Sequence, residues 1–346
     1  MRKFLRGAVL ASIMMAGSAM AQTFEDGITA YNAGDYQKAG QIWNPMAVDG
    51  DAQAQYNVGV LLERGLGVAQ DYAKAANYYT AAANQGHAGA QANLGSLYSK
   101  GQGVEKSAEE AVRLQILAAE QGNSMGQFNL GVAYATGQGI EQNDVDALKW
   151  LVLSAEQGHA QAQTNAGILY RDGRGTNADP VEAARLFKLS ADQGYPEAQA
   201  SLAQMYAQGV GVEQSNETAI ALYRKAAENG HANSQMALAI FYQQGLGGLS
   251  PNGAMAFQFF ASAARGGVPA AQFELGLVYA KGEVTETNNL KAHMWWNIAA
   301  YNGHEKAANN LEIVVKQMSE EEISQAKEMA QVCFSSRYQD CDGVAQ

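Results

Sequence analysis

A glycine returns every 36 residues along this chain. Gly50, Gly86, Gly122, Gly158, Gly194 and Gly230 keep that step, Gly267 follows after 37, and Gly303 after another 36. The extra residue falls in the loop Gly245-Leu246-Gly247-Gly248-Leu249-Ser250-Pro251. A chain built this way does not gather around one central core. Each unit is a small supersecondary element that cannot hide its apolar face alone, so neighbouring units must stack and bury it.

Other positions keep the same step. Twelve residues after each junction glycine stand Leu62, Tyr98, Tyr134, Tyr170, Tyr206, Tyr242 and Tyr279, and eleven before the next stand Ala75, Ala111, Ala147, Ala183, Ala219, Ala256 and Ala292. Each unit reads as two antiparallel helices. In the first, Ala54, Val58, Leu61 and Leu62 recur at helical spacing, and Gly65-Leu66-Gly67 ends the helix, since glycine takes a left-handed conformation without a Cβ penalty. The second helix starts at Asp35, Asp71, Ser107, Asn143, Asp179, Ser215, Asn252 or Asn288, fifteen residues before each junction. All are residues whose side chains accept a hydrogen bond from a free backbone N–H, worth about 1 kcal/mol each. Pro180 after Asp179 suits the first helical position. Bulk gathers seven or eight residues before the junction, at Trp43, Tyr78/Tyr79, Trp150, Phe187, Tyr223, Phe259/Phe260 and Trp295/Trp296, and small residues lie nearer it, from Ala83 to Ala300. Large set against small lets helices approach to about 8–10 Å.

Together these positions resemble the Sel1-like repeat family, a relative of the tetratricopeptide repeat. The resemblance covers about 50–302. It rests on the pattern seen as Ala90, Leu94-Gly95, Tyr98, Gly101, Gly103-Val104, then Asp71, Ala75, Ala82-Ala83 and Gly86. It implies an all-α, right-handed α-solenoid of stacked antiparallel helix pairs. Gly34-Asp35-Tyr36 and Ala39 have the shorter turn of the tetratricopeptide type, so 22–49 is expected as an N-terminal unit before seven repeats at 50–302. The last repeat has Lys281-Gly282-Glu283-Val284 and lacks the second loop glycine. Ser319 with Glu322 forms a capping-box pattern, and 303–346 is expected to hold capping helices and a tail.

Residues 1–21 read as a secretory signal peptide. Arg2, Lys3 and Arg6 precede an apolar stretch from Gly7 to Gly17, and Ala19-Met20-Ala21 is a cleavage pattern. The apolar stretch is short of the roughly 20 residues that span a bilayer, and no cysteine follows the cleavage site. The expected location is periplasmic or secreted, with no membrane insertion. There Cys333 and Cys341, eight residues apart in the tail, pair as a disulfide. The formal charge of −11 argues against nucleic acid, which selects a basic face. Charged residues are only 16% and hydrophobic ones 47%, which excludes a disordered chain.

Motifs of chemistry are sparse. His87, His159 and His231 share one position after a junction glycine, as does His304. Repeats hold them too far apart for zinc–nitrogen bonds of about 2 Å to one ion, so no metal and no cofactor are expected. Gly122-Asn123-Ser124-Met125-Gly126 matches the nucleophile elbow, which needs a strand before the serine, but a helix precedes it in this repeat. No catalytic residue is assigned. The candidate partner-binding positions are Asn57, Asn93, Asn129 and Asn165, seven residues into four successive first helices, with Tyr56 and Phe128 one residue earlier. The resemblance places this column at or near a concave groove. There the asparagines either bond an extended peptide or hold successive repeats together. The leading expectation is a non-enzymatic scaffold with a protein partner. The resemblance adds two themes, envelope signalling through a sensor kinase and exopolysaccharide assembly. It also implies an alternative, a β-lactamase or penicillin-binding activity described for cysteine-rich relatives, whose cysteine pair in each repeat is missing here. Polysaccharide or peptidoglycan binding through Trp and Tyr is a third reading.

Overall fold

The computed structural model describes residues 23–341, so the expected signal peptide lies outside the described residues. Among the described residues every regular element is helical: α1 (Phe24–Asn32), α2 (Tyr36–Val48), α3 (Ala52–Arg64), α4 (Tyr72–Asn84), α5 (Ala88–Lys100), α6 (Ala108–Glu120), α7 (Ser124–Thr136), α8 (Asp144–Glu156), α9 (Ala160–Asp172), α10 (Pro180–Asp192), α11 (Pro196–Gln208), α12 (Asn216–Glu228), α13 (Ala232–Gln244), α14 (Gly253–Arg265), α15 (Pro269–Lys281), α16 (Asn289–Tyr301), α17 (Glu305–Val314), a 3-10 turn Val315–Gln317, and α18 (Glu320–Ser335). The chain forms two compact units divided between Ala111 and Val112. In each, consecutive helices pack as antiparallel pairs, and the pairs stack as an α-solenoid. None of the described helices is long and apolar enough to cross a membrane.

Local chemistry explains where the helices begin and end. Asp71 accepts from Lys74 N–H, Asn143 from Val145 and Asp146, Asp179 from Val181 and Glu182, and Ser215 from Thr218. Ser107 accepts from Glu110 N–H at 3.2 Å. The odd-numbered helices of the repeats end on glycines in the left-handed region, such as Gly173 at φ 68°. Each junction glycine also has positive φ, as at Gly158 (87°), yet a Cβ there would meet nothing within 4 Å, except at Gly267, which lies beside Tyr338. Junction glycines therefore serve conformation and not space.

The glycines inside the odd-numbered helices serve space. A Cβ on Gly131 would lie 2.7 Å from Leu151 Cγ, one on Gly167 2.8 Å from Phe187, and one on Gly59 2.6 Å from Tyr79. The bulk expected seven or eight residues before the junction thus resolves into one inward position. Trp43, Tyr79, Leu151, Phe187, Tyr223, Phe260 and Trp296 are buried there, each against a glycine or alanine. The indole N–H groups of Trp43 and Trp296 donate to the carbonyls of Phe24 and Phe273 at 3.2 and 3.1 Å. Trp150, one residue off this register, is only half-buried, with Lys149 Nζ 5.1 Å from its ring. Leu151 takes the inward place because the helix is rotated to face Gly131.

At the C-terminal end α18 lies along α16. Ser319 and Glu322 form the capping box that starts it. Cys333 and Cys341 are joined in a disulfide. Both pack in one cluster with Phe260, Trp295, Ile298 and Met329.

Candidate interaction surface

The odd-numbered helices carry the asparagine column, and the helix period decides what it can do. On α9, Ala162, Ala166 and Leu169 point inward and are buried, while Asn165 sits between them in sequence and remains half-exposed. Its amide makes no hydrogen bond with a described residue. Asn57 accepts from Gln53 Nε2 at 3.3 Å within its own helix. Asn93 Nδ2 donates to the Tyr79 hydroxyl at 3.1 Å, and that hydroxyl donates to the Glu63 carboxylate. Burial, with Glu63 beside it, pushes the Tyr79 phenol far above its usual range. Asn93 therefore ties α5 to α4. Asn129 is half-buried on α7. In the second unit the column continues through Ser201 and Ala237 to Glu274, whose carboxyl burial raises above the ordinary range, against the opposing pull of Lys281.

Tyr56 and Phe128 are committed to packing between repeats. Tyr56 stacks on His87 with ring centroids 4.5 Å apart, and Phe128 on His159 at 4.6 Å. Phe273 and His304 repeat the contact at 4.3 Å. Three of the histidines are helix caps as well. Nδ1 of His87, His159 and His231 accepts the N–H of Ala90, Ala162 and Ser234. That bond requires the neutral ring with its proton on Nε2. Burial holds all three below the ordinary histidine range. Where Tyr195 and Val268 replace the histidine, no side-chain cap forms and proline takes the first helical position. Proline lacks the N–H that a cap would satisfy.

A glutamine column two residues before the asparagines carries the polar framework, and the sequence reading passed over it. Gln163 Nε2 donates to the Ala155 carbonyl of the preceding pair at 3.2 Å, and its Oε1 accepts from Gln193 Nε2 at 2.8 Å. Gln55, Gln127 and Gln272 make the same two bonds with their own neighbours. The signal was the same 36-residue step, through Gln55, Gln91, Gln127, Gln163, Gln199 and Gln235 to Gln272.

In the second unit, what remains on the exposed side of these helices is a mixed surface. Met125 is 42% exposed, Asn129 and Val132 continue its face on α7, Asn165 and Ile168 stand on α9, and Ser201 and Gln204 on α11. Amides set among half-exposed apolar side chains suit the backbone and side chains of a polypeptide. Trp43, Trp295 and Trp296, at most 5% exposed, offer no face to a sugar. Ser124 opens α7 between two helices, with its Oγ 3.1 Å from Ser154 Oγ, so it is no nucleophile elbow. No group of three or more metal-ligating side chains converges among the described residues.

The Sel1 repeat model matches residues 52–87, 88–123, 124–159, 160–195, 196–231, 232–268 and 269–304. Among solved structures, the chain is similar to a protective antigen present in uropathogenic Escherichia coli strains that displays an SLR fold. The identity is 30% over 91% of this chain and 72% of that one, with a TM-score of 0.71. It is also similar to a Sel1 repeat protein from Oxalobacter formigenes, 32% identical over 69% of this chain and 96% of that one, with a TM-score of 0.63. No curated protein matches the chain. Proteins of this kind are generally protein–protein interaction scaffolds, and the chain belongs to the Sel1 repeat family.

Proposed function

We propose that this protein is a non-enzymatic scaffold that acts outside the cytoplasm and holds a stretch of a partner protein along its odd-numbered helices. The observation that carries the reading is the repeated face of α7, α9 and α11, where Asn165 keeps an amide with no hydrogen bond to a described residue. An amide offers both donors and an acceptor, which is what an unpaired polypeptide backbone requires. The exported location is supported by the charged start, apolar stretch and Ala19-Met20-Ala21 pattern of 1–21. Similarity to a protective antigen, a molecule that immune recognition reaches, supports it further. Restraint of a sensor kinase and exopolysaccharide assembly are the two envelope roles to be separated.

A photo-crosslinking residue at Asn165, in protein expressed in its native envelope, tests the reading. One dominant partner is expected from Asn165 and not from Leu153 on the neighbouring even-numbered helix. The partner's identity separates the two roles. No protein adduct from either Asn129 or Asn165 would overturn the proposal. N-terminal sequencing of the purified protein should begin at Gln22; retention of Met1 in cytoplasmic protein would overturn the export.

A further inference from the structure

At the C-terminal end of the second unit a groove opens between α16 and α18. Asn297, Ile298 and Tyr301 form one wall, and Lys327, Ala330, Gln331 and Phe334 the other, around a space of about 250 Å³. Ile298 and Ala330 are buried and make an apolar floor. One end is aromatic: the Tyr301 ring, 73% exposed, meets the Phe334 ring edge to face at 4.5 Å. The other end is basic. Lys327 lies seven residues before Phe334 on the same helix, about 10 Å away along its axis.

The polar groups of this groove are open. The Asn297 and Gln331 amides, the Lys327 ammonium and the Tyr301 hydroxyl make no hydrogen bond or ion pair with a described residue. No carboxylate is among the described residues that line it. Glu120, Glu156, Asp192 and Glu228 stand two residues before their junction glycines, and in α16 that place is Tyr301. The groove thus has an aromatic ring where a carboxylate would repel an acidic ligand. Its floor and rings suit one large apolar side chain, and the ammonium suits a carboxylate.

The two amides decide the form of the ligand. A helix satisfies its own backbone and would leave them idle, whereas an extended segment brings N–H and C=O groups that need partners. In an extended chain, side chains two residues apart point the same way, about 7 Å from each other. The flexible Lys327 stem covers the remaining distance.

We propose that the α16–α18 groove binds an extended segment of a partner polypeptide in which a large apolar residue and an acidic residue stand two apart. The apolar side chain lies on Ile298 and Ala330 against Tyr301 and Phe334. The carboxylate pairs with Lys327, and Asn297 and Gln331 bond the backbone between. A polypeptide occupant rests on the scaffold reading. The helices differ from those of the asparagine face, so failure at Asn165 and failure here are separate results.

The test uses the full chain with isotopically labelled isoleucine methyl groups, the Ile298 signal being assigned through Ile298→Val. The probes are acetyl-Gly-Phe-Ser-Asp-Gly-amide, the reversed order acetyl-Gly-Asp-Ser-Phe-Gly-amide, and each of them with Asn in place of Asp. An oligogalacturonate serves as an acidic ligand of another class. Saturable movement of the Ile298 signal is expected with one acidic order, and about tenfold weaker binding of its Asn form, the loss of about 1.4 kcal/mol. Lys327→Glu should weaken the acidic peptide by at least that factor and leave the Asn form unchanged. Tyr301→Glu, which copies Glu156 of α8, should abolish the shift with thermal melting preserved. No movement with either acidic order would overturn the proposal. So would equal binding of the acidic and Asn forms, an equal loss of both in Lys327→Glu, or undiminished binding in Tyr301→Glu. Movement with the oligogalacturonate alone would overturn it in favour of a glycan.

Discussion

Contacts inside a helix pair and contacts between pairs are made of different materials. Inside a pair the closest contacts are steric: Gly131 receives Leu151, and Gly167 receives Phe187. Between pairs it is directional: Gln163 donates to the Ala155 carbonyl, and His159 stacks on Phe128 while capping α9. Close packing without polar atoms holds two helices together but leaves them some freedom to slide. Hydrogen bonds to backbone carbonyls are sensitive to distance and angle, so they set how one pair is placed on the next. A solenoid needs both, because its stability sums unit and interface contributions.

The steric side should break hardest. Gly131→Leu forces a side chain into Leu151 and is expected to cost about 3 kcal/mol, near the upper end for overpacking. A urea unfolding midpoint unchanged from the parent would refute the close-packing account. On the directional side, Gln163→Leu strips the buried Ala155 carbonyl and the Gln193 amide of a partner. It should cost about 1 kcal/mol, a typical net hydrogen bond, because the Ala155 carbonyl keeps the Gly158 N–H, and hydrogen exchange should accelerate first in α9 and α10.

The histidine caps make the junctions sensitive to acid. His87, His159 and His231 are held below their ordinary range by burial, so the unfolded chain binds protons that the folded one refuses. Their contribution is full above about pH 6.5, the unfolded value, and is lost progressively as pH falls from there toward the folded values. The urea midpoint should therefore fall between pH 7.5 and 5.5. Replacing all three with Asn, the residue this column has at Asn123, should flatten that dependence; an equally steep slope in the triple variant would assign it elsewhere.

The smallest effect sharpens the comparison at an irregular rung. Gln199 Oε1 is buried without a partner; Asn229, which stands where Gln157 and Gln193 stand in other repeats, turns to the Lys225 carbonyl of its own helix, unlike Asn302, which reaches Gln272. Asn229→Gln supplies the missing donor and should stabilise by about 1 kcal/mol. A lower melting temperature in that variant would show that the rung is not a simple missing bond.

Much of the fold was legible because it is local. Asp71, Asn143 and Asp179 are caps by residue type and place, and the glycine step announces the pairs. The candidate surface was legible in part. The asparagine column was found, but its members turned out unlike one another: Asn93 is tied to Tyr79, while Asn165 is open. Tyr56, Phe128 and the histidine column each stood out in the sequence, but the stacking of the histidines on them 31 residues later did not, since no pattern within one repeat links the two positions.

Periodicity in the amino acids was enough to dictate helix pairs, their lengths, their caps and the need to stack, because those follow from backbone conformation and from apolar surface that one pair cannot cover. Periodicity shows that two positions are equivalent without showing what either of them faces. That Leu151 and not Trp150 turns inward, that the glutamines bridge three helices, and that α16 and α18 leave a groove over Ile298 and Ala330 all depend on how each helix is rotated against neighbours far away in the chain. Rotation is settled by the fit of many side chains at once, and only the packed structure contains that fit.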